Sequence, residues 1–157
     1  MYNNRAVITE PKWKRWVVET TGHIFTPKLC QEIIDLGKTL PQEKGKVSGN
    51  DAVRESTIGW LPFDKMQPMY DDINNFIQKT NRNHFGFGDI QIRERAQITE
   101  YTKGGYYDWH TDTSLDMDHE PAVRKLSMTL LLNDPSEFDG GELQIAGTKN
   151  TKLMKQG

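Results

Sequence analysis

Cysteine is nearly absent: Cys30 is the only one among 157 residues. No internal disulfide can form, which fits a reducing compartment. No apolar run approaches the length of a membrane span. The first residues, MYNNRAVITEPKWKRW, lack the apolar centre of a secretory leader, so a cytoplasmic protein is expected. An excess of one charge is missing too. The formal net charge of −2 creates no broad field to draw the chain to nucleic acid or a membrane, and neither is expected as a partner. There is no internal repeat and no low-complexity segment. What remains is a polar globular composition, 35% hydrophobic and 27% charged. The length predicts a single domain over 1–157 with a core of its own.

Trp13 to Thr20 mixes aromatic and β-branched residues and reads as an early strand. Thr26-Pro27 predicts a helix start, because Thr caps well and Pro suits the first turn. Leu29, Ile33 and Leu36 follow at helical spacing, with Cys30 read as a small core residue rather than a nucleophile. Gln42 to Ser56 reads as a polar loop, and Ser56 to Phe63 as a short strand. Asp64 is a plausible cap for a second helix, whose stripe is Met66, Met69, Tyr70, Ile73, Phe76 and Ile77. Core packing explains that stripe better than a partner groove. Asn81 to Asp89 is expected to break it.

From Ile90 the period changes to two. Ile92, Ala96 and Ile98 alternate with polar residues, as in a half-buried strand. Lys125 to Leu132 predicts another strand, with Leu126, Met128, Leu130 and Leu132 on one face and Ser127 and Thr129 on the other. Gly141 to Ile145 predicts a third, after a turn over Asp134 to Gly141 that Gly140 and Gly141 serve. Helices first and strands afterwards predict an α+β fold. Residues 1–89 form a helical support region, and residues 90–157 form a sandwich or barrel.

The densest stretch is YTKGGYYDWHTD, Tyr101 to Asp112. Gly104-Gly105 predicts a turn between two strands. On a strand, residues i and i+2 share a face. His110 and Asp112 would stand side by side, with Asp108 on the same face and Tyr107 and Trp109 opposite, packed between sheets. An imidazole and a carboxylate are two of the three ligands in non-haem Fe(II) oxygenases. By itself His-x-Asp is more simply read as a strand-end histidine bonded to a carboxylate, since short motifs match by chance.

The longer pattern is Tyr101, Gly104, Tyr107, His110 and Asp112, then RKLSMTLLLND over Arg124 to Asp134, then GGEL over Gly140 to Leu143. It resembles the Fe(II)- and 2-oxoglutarate-dependent dioxygenases, in the prolyl 4-hydroxylase-like branch and closest to the PKHD-type hydroxylases. The likeness runs from about Arg95 to Ile145. It implies a double-stranded β-helix, or jelly-roll, with His110 and Asp112 as iron ligands. It also implies that the Tyr101 phenol meets the 2-oxoglutarate carboxylate. Ser127 is a candidate for the same co-substrate pocket, as is Thr129, although a solvated sheet face explains both equally. Arg124 reads as a pocket residue or a surface charge at a strand start.

The family also has a second ligand histidine on a later strand, followed by a basic residue that clamps the far carboxylate. The last histidine here is His119, in the acidic stretch Leu115 to Arg124, read as a surface-loop residue. Lys152 and Lys155 are the basic residues near the end. The ending TKLMKQG resembles the lead-in to that later strand. The expectation is a jelly-roll incomplete at its C-terminal end, binding Fe(II) weakly. The implied cofactors are Fe(II), 2-oxoglutarate and O2, with ascorbate as a common auxiliary. The implied reaction is hydroxylation of a C–H bond in a prolyl, peptidyl or related small-molecule substrate, releasing succinate and CO2. Two alternatives stay open: a non-catalytic jelly-roll that binds a ligand, and a hydrolase using His110, Asp112 and Asp108 with Mg or Mn.

Overall fold

The computed structural model describes residues 15–20, 22–45, 53–112, 124–147 and 156–157. Helix α1, Pro27–Thr39, begins as its sequence predicts: the Thr26 side chain accepts from the Leu29 N–H at 3.2 Å, and Pro27 occupies the first turn. Its buried face is Cys30, Ile33 and Gly37. Helix α2, Gln67–Thr80, starts later than an Asp64 cap would place it. Pro68 explains the shift. A proline is tolerated in a first turn, whereas deeper in a helix its ring would strike the carbonyl four residues back, here that of Asp64. The N-cap is Met66, without a side-chain bond.

Helix α2 ends where Asn81 to Asp89 is expected to break it, although Asn81–Phe85 first adds a π-helical turn. Gly86, at φ 71°, then ends the run by bonding its N–H to the Asn81 carbonyl at 2.7 Å. The buried Asn81 amide closes the corner, donating to the Phe87 carbonyl and accepting its N–H, both at 3.0 Å.

Five short strands follow in chain order: β1 Glu43–Lys44, β2 Arg54–Glu55, β3 Thr57–Trp60, β4 Gln97–Glu100 and β5 Tyr106–Tyr107. The fold is therefore mixed helix and antiparallel sheet, but the helices do not simply precede the strands. The stretch read as a loop, Gln42 to Ser56, supplies β1 and β2; its middle, 46–52, lies outside the described residues. One sheet has the order β1-β3-β4, and a two-stranded ladder joins β2 to β5, all antiparallel. Strands before residue 89 thus pair with strands after it.

Strands β2 and β3 are one extended run, interrupted only at Ser56. Strand β4 pairs with its second half and β5 with its first half. Residues 97–107 therefore run alongside 54–60 in a single direction. Tyr101 to Gly105 is an outward excursion in that course rather than a hairpin reversal. Gly104 takes φ 84°, and a Cβ on Gly105 would lie 3.0 Å from the Glu55 carbonyl oxygen. Glycine is needed at both places, for the left-handed backbone at one and the close approach at the other.

The core contains Phe25, Cys30, Ile33, Leu40, Leu61, Met69 and Tyr70. Met66 and Ile73 pack against it, so the methionine stripe of α2 serves the core. A Cβ on Gly37 would fall 2.4 Å from Ile98 Cδ1, and one on Gly59 would fall 3.3 Å from Ile98 Cγ2. Ile98 sits between two glycines, and this seats α1 on one face of the sheet. Tyr70 links α2 to the sheet: its hydroxyl donates to the Leu61 carbonyl and accepts the Ala96 N–H, both at 2.7 Å.

Three expected strands are not paired as ladders. Residues 15–20 carry no strand; Arg15 donates its N–H to the His84 carbonyl at 2.7 Å, and Trp16 is fully exposed. Residues 124–132 alternate as expected, with Leu126, Met128, Leu130 and Leu132 half-buried and Ser127 and Thr129 exposed, yet no strand is formed there. Their hydrophobic face is used, since Leu130 and Leu132 pack on the core. The Gly157 N–H bonds the Leu131 carbonyl at 2.8 Å. In Gly141 to Ile145 only Leu143 makes a bridge. The preceding turn does form: Asp134 accepts from the Ser136 N–H at 2.8 Å, and Gly140 and Gly141 take φ 79° and 71°. A jelly-roll is not complete among the described residues.

Candidate functional site

In-register partners share a face of a sheet. Gly59 and Ile98 are opposite each other and face α1; Ile58 and Thr99, one residue along, face the other way. That second face carries Arg54, Ser56, Gln97 and Thr99. The Arg54 guanidinium, only 6% exposed, donates to Ser56 Oγ at 2.7 Å, Gln97 Oε1 at 2.9 Å and Thr99 Oγ1 at 3.2 Å. Its charge also acts on the Tyr101 phenol, and its Cζ lies 4.5 Å over the ring of Tyr107, its cross-strand partner. Gly45 permits this: a Cβ there would come within 2.7 Å of Arg54 Nε and 2.4 Å of Ser56 Oγ.

Tyr101 stands at the start of the excursion and is 48% exposed. Burial pushes its phenol above the ordinary tyrosine range, against the opposing pull of the Arg54 charge. The hydroxyl thus keeps its proton at neutral pH and can donate to an anionic ligand.

Past β5 the chain leaves the ladder, its last bond running from the Asp108 N–H to the Val53 carbonyl at 2.8 Å. His110 and Asp112 are not on a strand, but they still meet: His110 Nε2 lies 3.2 Å from Asp112 Oδ1. The other ring nitrogen, Nδ1, sits 2.8 Å from the Asp108 carbonyl oxygen. A carbonyl only accepts, so the Nδ1 proton is directed there. In the neutral ring this leaves the Nε2 lone pair turned to the carboxylate. Two electron-rich atoms at that distance need a proton or a cation between them. Two adjacent ligands each about 2.1 Å from one ion lie about 3.0 Å apart, so the observed pair fits a shared metal. The Nδ1 bond to a backbone carbonyl is the usual orienting contact of a metal-bound histidine.

The rest of the stretch departs from expectation. Tyr107 does not face away from His110: their rings stack at 3.6 Å, 8° from parallel. Trp109 is 62% exposed, not packed between sheets. The Asp108 carboxylate accepts from the Trp109 N–H at 2.7 Å and does not join the pair. Among the described residues no three His, Cys, Asp or Glu side chains form a metal-binding group. The Asp108 carboxylate therefore does not stand with His110 and Asp112 as the hydrolase alternative has it. Arg124 donates to the Asp112 backbone carbonyl at 2.8 Å and to Glu94 at 2.5 Å, anchoring the backbone at Asp112. Ser127 is exposed on the 124–132 segment, and no hydrogen bond joins it to Tyr101, His110 or Asp112. His119, Lys152 and Lys155 lie outside the described residues.

Arg54 is the residue that sequence reasoning missed. Its signal was the alternation Arg54-x-Ser56 facing Gln97-x-Thr99-x-Tyr101, polar on the same side of two extended runs.

Residues 96–156 match the family model described as 2OG-Fe(II) oxygenase superfamily. A PKHD-type hydroxylase of Stutzerimonas stutzeri is 40% identical over 58 residues, covering 35% of this chain and 26% of the relative. One from Acidovorax ebreus is 36% identical over 62 residues, covering 38% and 27%. The PKHD-type hydroxylase PiuC of Pseudomonas aeruginosa is 40% identical over 58 residues, covering 35% and 26%. The matches thus span about a quarter of these relatives' lengths. No solved structure matches significantly. Residues Ala96 to Gln156, which include Tyr101, His110 and Asp112, thus match the 2OG-Fe(II) oxygenase family model, and part of the chain is similar to PKHD-type hydroxylases.

Proposed function

We propose that the chain serves an Fe(II)- and 2-oxoglutarate-dependent hydroxylase built on a jelly-roll. In this reading it adds oxygen to a C–H bond of a prolyl, peptidyl or related small-molecule substrate. O2 is split between the new hydroxyl and succinate, CO2 is released, and ascorbate is an auxiliary reductant. The observation that carries the reading is the His110 Nε2 to Asp112 Oδ1 approach of 3.2 Å inside the matched segment.

Bound iron would supply oxygen activation. The chain's own residues do the placing. The Asp108 carbonyl holds the His110 tautomer, and Arg124 pins the backbone at Asp112. Tyr101, protonated and backed by Arg54, offers a hydrogen bond to the co-substrate carboxylate. Ser127 on the exposed face is a weaker candidate for the same ligand, since no contact ties it to the pair.

An anaerobic titration of the full chain with Fe(II) and 2-oxoglutarate tests the reading. The expected result is a visible charge-transfer band that disappears in His110→Ala. A band retained in His110→Ala would remove His110 from the site. No band in either protein would turn the reading toward a non-catalytic binding module.

A further inference from the structure

Arg54 poses a question that the oxygenase reading does not answer. It is buried, charged, and surrounded by neutral groups: Ser56, Gln97, Thr99, Tyr101 and the Tyr107 ring. Among the described residues none of its partners is a carboxylate. The neighbouring Glu55 points elsewhere and pairs with Lys44 at 3.0 Å. Burying a cation without a counter-charge is costly, and an apolar side chain of similar size would fill the niche more cheaply. The arrangement therefore points to something only a planar, multidentate cation does.

The bonds lock the guanidinium plane. Ser56 holds Nε, while Gln97 and Thr99 hold Nη2. That fixed plane lies over Tyr107, and the same ring stacks on His110 at 3.6 Å. The parallel imidazole covers one face of that ring, which leaves the other for the guanidinium. The order is then guanidinium, phenol, imidazole. At the far end, Nε2 of that imidazole faces Asp112. His110 is outside any strand, so no ladder fixes its ring. The Nδ1 contact with Asp108 fixes one point of the ring, and stacking must fix its plane.

We propose that Arg54 is a positioning residue for His110: its buried guanidinium fixes the Tyr107 ring and, through it, the plane of the imidazole that faces Asp112. The residue does not touch the reacting atoms. The proposal takes from the oxygenase reading only the importance of His110.

The test reads the imidazole in the metal-free full chain, by long-range proton–nitrogen NMR. In the wild type the His110 ring protons are shifted upfield by the Tyr107 ring current, with the proton of the neutral ring on Nδ1. Arg54→Met keeps the length and loses the charge and plane. The expected result is loss of most of the upfield shift and averaging of the tautomers, with His23 and His84 unmoved. A folded Arg54→Met with wild-type His110 signals overturns the proposal. Where that variant does not fold, Arg54→Lys decides, since it keeps the charge without the plane. Under the proposal the His110 shift still collapses; an unchanged shift shows that charge alone was needed and overturns it. Tyr107→Leu supplies the coupling control: it should release His110, and adding Arg54→Lys should then change nothing further at that ring. An additional effect of Arg54→Lys in that background would overturn action through Tyr107. Because no iron is present, failure here is separate from failure of the charge-transfer experiment.

Discussion

Tyr70 and Tyr101 mark two regions that handle the same side chain differently. Tyr70 is 4% exposed and spends its hydroxyl on two backbone groups, joining α2 to the sheet beside the apolar core. Tyr101 is half-exposed and lies within the field of the Arg54 guanidinium, on the opposite face of that sheet. Burial raises both phenols above the ordinary range. The difference is in what remains free. The Tyr70 hydroxyl donates and accepts within the fold, so it holds structure. The Tyr101 hydroxyl keeps solvent access, so it can meet a ligand. A polar face backed by an apolar one lets one short sheet do both jobs.

Removing the two hydroxyls should separate these roles. Tyr70→Phe leaves a buried carbonyl at Leu61 and a half-buried N–H at Ala96 unpaired, so stability should fall by about 1–3 kcal/mol. Urea unfolding would measure it; a loss within error would show that these groups find other partners. Tyr101→Phe should change stability by less than about 1 kcal/mol, because water replaces the hydroxyl at a half-exposed site. It should instead raise the 2-oxoglutarate concentration that half-saturates the charge-transfer band. A large stability loss with unchanged co-substrate dependence would reverse the assignment of roles.

The smallest effect belongs to the turn at Asp134, remote from both tyrosines. Hydrogen bonds from Ser136 hold the Asp134 carboxylate below its ordinary value of 3.8. A depressed carboxylate stabilises the fold above its unfolded pKa and loses that contribution as pH falls through the folded one. The Ser136 amide resonance should therefore titrate with its midpoint below about 3.8. A midpoint at or above that value would contradict the bonded carboxylate. Since the group is fully exposed, global stability should barely register the change.

Much of this molecule was legible residue by residue. Thr26-Pro27 announced α1, and the period of Met69, Tyr70 and Ile73 announced α2, because caps and helical spacing act over a few positions. Leu126 to Leu132 showed its buried face in the same way, since alternation needs no knowledge of a partner. The Asp64 cap failed for a local reason, the constraint of Pro68. The missed strands β1 and β2 failed for a distant one. Two residues in a polar run become a strand only when another segment lies beside them.

The candidate site divides along the same line. His110 and Asp112 stood out in the sequence because two residues of separation brings their side chains together even off a strand, as the 3.2 Å approach shows. Arg54 did not stand out. Its burial depends on Gln97, Thr99 and Tyr101, more than forty residues away, and on the absence of a Cβ at Gly45. Sequence alone determined the helices, the hydrophobic faces and the chemistry of the histidine–carboxylate pair, because these rest on neighbours along the chain. Tertiary structure decided that Tyr101 to Gly105 is an excursion rather than a reversal. It also decided that Tyr107 stacks on His110 and that a charged arginine lies beneath both tyrosines. Those outcomes depend on which distant backbone completes the hydrogen-bond ladder, and no local pattern encodes that choice.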